Sequence, residues 1–242
     1  LLFIAGWLWS RRLVDAGIRP CACAGHSLGE LVALAFAGVS DVESMLRLVC
    51  RRAQIMAEVA EATPGTMVAV IGMDSADVTA LTRPLDGVWV ANDNAPGQIV
   101  LSGTHAGIES ATRALVEAGA RKVVPLAVAG PFHSPLMSRA AESFASVLDA
   151  VTFAAARIPV VQNTSATPAT DGTIIRSRLA SQISAPVRWT ETMNALKECG
   201  VTTLVESGPG AVLAGLARRV DGLAAYAVES TDIDRIRQGV GA

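Results

Sequence analysis

The sequence predicts an α/β fold made of a larger body with a largely parallel sheet and a smaller unit inserted into it. Three observations carry that prediction. Helical segments and short apolar segments alternate toward both ends of the chain, the pattern of a parallel sheet covered by helices. Between them, after Pro64-Gly65, the texture changes to strand, helix, hairpin, helix, strand. Near the start, a serine framed by glycines in Gly25-His26-Ser27-Leu28-Gly29 stands between a buried strand and a helix.

Residues 1–16 read as a helix with its apolar members crowded on one face and Gly17 as its stop. A short buried strand, PCACAG, leads into Ser27. SLGELVALAFAGV has the small and apolar residues of a helix packed inside a domain, and it ends at Gly38. The next helix starts behind Asp41 as N-cap and runs through DVESMLRLVCRRAQIMAEVAEA. In the middle of the chain come TMVAVIGM, SADVTALTRPL, VWVANDNAPGQIVLSG with a turn at Asn94 to Gly97, HAGIESATRALVEAGA and RKVVPLAVAG. Their order is β-α-β-β-α-β, a ferredoxin-like small subdomain over residues 63–130. From Pro131 the larger body resumes, with a helix near 137–150, a strand at IPVVQNT and helices near 173–183 and 190–199. The buried strand VTTLVES, closed by Gly208-Pro209-Gly210, completes it. The large α/β subdomain is therefore expected over residues 1–62 and 131–242.

Composition narrows the function classes. The 242 residues are 51% hydrophobic and 17% charged, which suits a compact domain with a substantial core and argues against disorder. A formal net charge of -2 without long blocks of one sign offers no electrostatic case for nucleic acid or an acidic membrane surface. The opening LLFIAGWLW is far shorter than the roughly 20 residues that span a bilayer, and Arg11 and Arg12 follow it, so it reads as neither anchor nor signal peptide. Cys21, Cys23, Cys50 and Cys199 lack C-x-x-C spacing and the three histidines complete no zinc pattern. The cysteines read as reduced core thiols of an intracellular, cytoplasmic protein, and no metal or cofactor is expected.

Ser27 sits where a nucleophile elbow would place it. Glycines on both flanks permit a turn too tight for a Cβ, the serine is pushed out at the end of the sheet, and the Leu28 N–H becomes an oxyanion donor at a helix N-terminus. A serine hydroxyl also needs a base within hydrogen-bond reach. His26 would point away from its neighbour across the turn, and His105 begins a surface helix; His133, in AGPFHSPLM at the return to the larger body, remains. No histidine follows His133, so the serine, acid, histidine order of an α/β-hydrolase triad is absent. A serine–histidine dyad with the imidazole held by a backbone carbonyl fits better.

On the helix after Asp41, the apolar stripe runs through Val42, Met45, Leu46, Val49, Ala53, Met56 and Ala60. At about 100° per residue, Arg52 lies on its flank while Arg47 and Arg51 point away. Helical geometry alone favours a side chain that covers apolar surface and reaches water. The alternative is a guanidinium near the serine that grips a carboxylate on the acyl group.

Taken together, AGHSLGEL, RLVCRRAQIM, TMVAVIGM, NDNAPGQIVLSG, FHSPLM, PVVQNTS, ISAPVRW and VESGPGAVLAGL, in that order, resemble the malonyl-CoA:acyl carrier protein transacylases of fatty acid synthesis and the related acyltransferase domains of polyketide synthases. The resemblance implies a hydrolase-like core. It also implies Ser27 as nucleophile, His133 as base, Arg52 as the carboxylate-binding arginine and Gln182 as the residue whose main-chain carbonyl orients the histidine. Phe132 and Leu28 imply malonyl over methylmalonyl. The partners it implies are malonyl-CoA and an acyl carrier protein, with a monomer or a part of a larger synthase as the setting.

The family opens with a G-Q-G-x-Q strand whose glutamine helps form the oxyanion hole, and this sequence starts at Leu1 without one. The resemblance thus implies a longer native protein, since loss of an oxyanion donor typically costs about 10² to 10³ in rate. Two other readings stay open from the residues alone. A hydrolase would pass the acyl group to water, and a non-catalytic module would only dock a carrier protein.

Overall fold

The computed structural model describes residues 1–241 and shows an α/β fold. Helix α1 (Leu2–Asp15) precedes the short strand β1 (Cys23–Ala24), then α2 (Leu28–Ala37) and the long α3 (Val42–Ala62). The Asp41 carboxylate accepts the Ser44 N–H at 2.8 Å and so caps α3 as its sequence promised. Gly38, at φ 76°, ends α2 in the left-handed conformation that a glycine adopts without strain.

The middle of the chain forms β2 (Thr66–Ile71), α4 (Ser75–Thr82), β3 (Val88–Ala95), β4 (Gln98–Gly103), α5 (His105–Glu117) and β5 (Lys122–Pro125). The β3–β4 hairpin closes at Pro96-Gly97, with Gly97 at φ 72°. These strands lie side by side as β5-β2-β4-β3, each pair antiparallel, and Val70, Ile99 and Leu101 pack against Ile108, Ala111 and Leu115 of α5. The larger body follows with α6 (Ser138–Leu148), β6 (Val160–Val161), β7 (Pro168–Ala169), α7 (Gly172–Ser181), β8 (Val187–Arg188) and α8 (Trp189–Glu198). Strand β9 (Thr203–Glu206), α9 (Val212–Ala217), β10 (Ala224–Ala227) and α10 (Ile233–Val240) complete it. Among the described residues no helix is long and apolar enough to cross a membrane.

The structure departs from the sequence expectations in four places. The larger body holds two small sheets where one was expected: β1 pairs with β6 in parallel and β6 with β7 antiparallel, while β9 and β10 form a separate parallel pair. Strands of two to four residues are too short to tie a wide sheet together. Strand β8 leaves the larger body and lies parallel to β3, so the middle sheet gains a fifth strand. The buried face of α3 is rotated from the expected stripe and consists of Met45, Leu48, Arg52, Ile55, Met56 and Ala60, which puts Arg52 at its centre. Finally, the cysteines are free but only Cys23, partly buried, packs against the core, whereas Cys21, Cys50 and Cys199 are exposed.

The main core gathers around α2. Leu31 and Leu34 share one buried cluster with Met45 and Leu48 of α3, Phe144 and Leu148 of α6 and Ile175 and Leu179 of α7. A helix this apolar is buried on nearly all sides, and packed between α1 and α3 it fixes the residue just before it, Ser27.

Candidate active site

Ser27 links β1 to α2 at φ 50° and ψ -106°. For a residue with a Cβ that conformation costs about 1–3 kcal/mol and persists only where its surroundings impose it. Gly25 is one such constraint, because a Cβ there would lie 2.0 Å from the Gly29 backbone. A Cβ on Gly29 would meet nothing within 4 Å, so only the first of the two framing glycines is required by close approach. Helix α2 begins at Leu28, and the Leu28 N–H is one of the first-turn donors that a helix leaves without an internal acceptor.

His133 comes to the elbow from the loop before α6. Its Nε2 lies 2.8 Å from Ser27 Oγ. Its Nδ1 faces two backbone carbonyls, Gln182 O at 2.9 Å and Ala185 O at 3.2 Å, which can only accept. The proton therefore sits on Nδ1 and leaves the Nε2 lone pair toward the serine. The His133 backbone, itself at φ 57°, donates its N–H to Ile183 O at 3.0 Å. Burial, then the positive charge of Arg52 and the neighbouring His26, push the imidazole down to about 3, against the two carbonyl bonds. It is neutral over the physiological range.

Arg52 is 5% exposed, with Nη2 donating to Ser27 Oγ at 3.0 Å and to Gln182 Oε1 at 2.9 Å, while its buried Nε has no partner. Burial lowers the guanidinium to about 10 and the nearby Glu30 charge raises it, so it stays protonated at neutral pH. A buried cation with an unsatisfied donor is suited to a carboxylate. Gln182, fully buried, joins the three groups: its side-chain Nε2 donates to Ser27 O at 3.0 Å, its Oε1 receives Arg52, and its carbonyl holds His133.

The structure thus brings Ser27, Leu28, His133, Arg52 and Gln182 into one cluster. Phe132 is partly buried beside His133 and packs between the main core and Met67, Ala91 and Val100. His26 turns away from Ser27 as expected; its Nε2–H donates to Asn94 Oδ1 at 2.8 Å and its ring lies 5.4 Å from that of Trp189. His105 stands exposed at the start of α5. Sequence reasoning missed two residues beneath the elbow, Asn163 and Glu30, both buried. The only signal for Glu30 was a carboxylate inside an otherwise apolar helix, and for Asn163 there was none before its strand was paired.

A strained serine against a neutral, oriented imidazole, on an α/β frame, has the form of an acyl-transfer enzyme with a serine nucleophile. The chain belongs to the acyl transferase domain family, whose model matches residues 11–236. It is 43% identical over 211 residues to the malonyl CoA-acyl carrier protein transacylase of Bacillus subtilis, which covers 86% of this chain and 67% of that protein. To the protein of the same name from Escherichia coli strain K12 it is 41% identical over 218 residues, 88% of this chain and 71% of that one. Among solved structures it resembles a malonyl-transacylase in complex with a type II polyketide synthase acyl-carrier protein, with a TM-score of 0.92, 37% identity and coverage of 99% and 79%. The malonyl-CoA:acyl carrier protein transacylase of Xanthomonas oryzae gives a TM-score of 0.91 at 39% identity, over 98% of this chain and 76% of that one.

Proposed function

We propose that this chain moves a malonyl group from malonyl-CoA to the phosphopantetheine thiol of an acyl carrier protein by way of a malonyl ester on Ser27. The observation that carries this reading is the 2.8 Å approach of His133 Nε2 to Ser27 Oγ, with a buried guanidinium on the same hydroxyl. Ser27 Oγ attacks the thioester carbonyl while its proton passes to His133 Nε2. The Leu28 N–H donates to the oxyanion, the C–S bond breaks, and the imidazolium returns the proton to the departing CoA sulfur. In the second half the carrier thiol gives its proton to Nε2 and its sulfur attacks the ester. The C–O bond breaks and Ser27 regains the proton.

Each remaining residue has a part in this scheme. Arg52 holds the free carboxylate of the malonyl group. The Gln182 carbonyl keeps His133 in the tautomer that leaves Nε2 free. Phe132, wedged between two apolar clusters, walls the acyl site and favours malonyl over a branched homologue. The frame is read in the same way: residues 1–62 and 131–242 as a hydrolase-like large subdomain, and residues 63–130 as a ferredoxin-like insert, supported by the order β5-β2-β4-β3.

The test is the intact mass of the chain after mixing with malonyl-CoA alone, beside a Ser27→Ala variant. One malonyl group on the parent and none on the variant is the expected result. Steady release of malonate without a carrier would favour a hydrolase, and no increment on the parent would overturn the acyl-enzyme.

A further inference from the structure

Val160 and Val161 of β6 lie beside Cys23 and Ala24 of β1 in parallel register, and that register carries Asn163 alongside the elbow. Asn163 is fully buried and uses its polar groups in both directions. Its Oδ1 accepts the Ser27 N–H at 2.7 Å, and its Nδ2 donates to Gly25 O at 2.7 Å. Its own N–H donates to Glu30 Oε2 at 2.8 Å, and its carbonyl accepts the Arg188 N–H at 3.0 Å. Glu30 in turn accepts from Gln162 Nε2 at 3.1 Å and is 1% exposed, so water does not compete for it.

One planar amide therefore spans the two peptide groups that flank His26. Those peptides set the path of the chain into a serine at φ 50°, a conformation that neither the strand before it nor the helix after it maintains. Releasing either bond lets the turn relax toward ordinary dihedrals, which swings Oγ off the Nε2 lone pair.

We infer that Asn163 is a positioning residue for the nucleophile, whose side-chain amide clamps the peptide groups on both sides of His26 and is itself anchored through its backbone to buried Glu30. The role rests on Ser27 as the acylated residue. It places Asn163 in neither substrate binding nor proton transfer, so its loss should appear in the rate of acylation and not in the affinity for malonyl-CoA.

The experiment is the rate of malonyl-Ser27 formation at saturating malonyl-CoA, followed by quenched intact mass, for the parent, Asn163→Ala and Asn163→Asp, with thermal denaturation of each. A displacement of a reacting atom by about 1 Å can cost on the order of 10²-fold, and a fall of that order is expected for Asn163→Ala at a KM close to the parent's. Asn163→Asp keeps the acceptor for the Ser27 N–H but turns an oxygen toward Gly25 O. Its rate should recover as the pH is lowered and the buried carboxyl takes up a proton that it can donate to that carbonyl. This recovery reads positioning even if Asn163→Ala fails to fold. An acylation rate equal to the parent's in folded Asn163→Ala, or a rate for Asn163→Asp that shows no recovery relative to the parent's as the pH is lowered, would overturn the role. A parent chain that takes no malonyl group would sink the nucleophile and the clamp together.

Discussion

Ser27 and His133 are 106 residues apart in the chain, and the His133 Nε2 stands 2.8 Å from the Ser27 Oγ because two strained backbones are held facing each other. The elbow between β1 and α2 presents the hydroxyl. The carbonyls of Gln182 and Ala185 aim the ring.

The environment of His133 makes a prediction about acid. An ordinary histidine takes up its proton near 6.5, whereas burial, Arg52 and His26 push this one down to about 3. Between those values the unfolded chain binds a proton that the folded chain refuses, so stability is fully present above 6.5 and is lost as the pH falls toward 3. Burial lowers His26 as well and adds to the same trend. Denaturation midpoints measured across that window should decline on acidification, and less steeply in His133→Gln. Equal slopes in the two proteins would contradict the assigned environment.

Arg52→Ala removes the charge assigned to the acyl carboxylate. Hydrogen bonds to charged groups contribute about 1.5–3 kcal/mol, so kcat/KM for malonyl transfer should fall about 10- to 100-fold further than that for acetyl transfer. Parallel transfer assays with malonyl-CoA and acetyl-CoA check this. Equal losses would mean that the guanidinium serves the Ser27–Gln182 cluster alone.

The two framing glycines should respond differently to a methyl group. In Gly25→Ala the new Cβ lies 2.0 Å from the Gly29 backbone, and the overpacking should cost about 1–3 kcal/mol or more and displace Ser27. Gly29→Ala adds a Cβ to open space inside α2, where alanine is the better helix former by up to about 1 kcal/mol. Thermal denaturation of the two variants should move in opposite directions.

Phe132→Ala opens the wall beside His133. If the ring excludes a branched acyl group, the ratio of methylmalonyl to malonyl transfer should rise by about tenfold or more, as expected for one methyl group's worth of space. Competition assays with both thioesters read that ratio directly, and an unchanged ratio would remove Phe132 from selectivity.

Local chemistry was legible in the sequence where neighbours in the chain decide it. The Asp41 cap, the Gly38 stop and the strand–turn–helix around Ser27 all follow from adjacent residues, and α7 at Gly172–Ser181 lies close to the expected 173–183. What depends on distant partners was hidden. Arg52 read as the flank of an amphipathic helix because apolar periodicity cannot register a cation whose partners, Ser27 and Gln182, arrive from other elements. Strand β8 has two residues and no period to detect. Asn163 acquires meaning only once β6 lies against β1.

Strand β8 ties the middle sheet to the rest of the chain. The backbones of Asn92 and Asp93 lie alongside Val187 and Arg188, Thr190 Oγ1 donates to Asp93 Oδ1 at 2.6 Å, and Asn94 receives the ring N–H of His26 beside Ser27. The middle sheet is thus fastened beside Ser27 at three points, and swinging it outward would shear all three attachments.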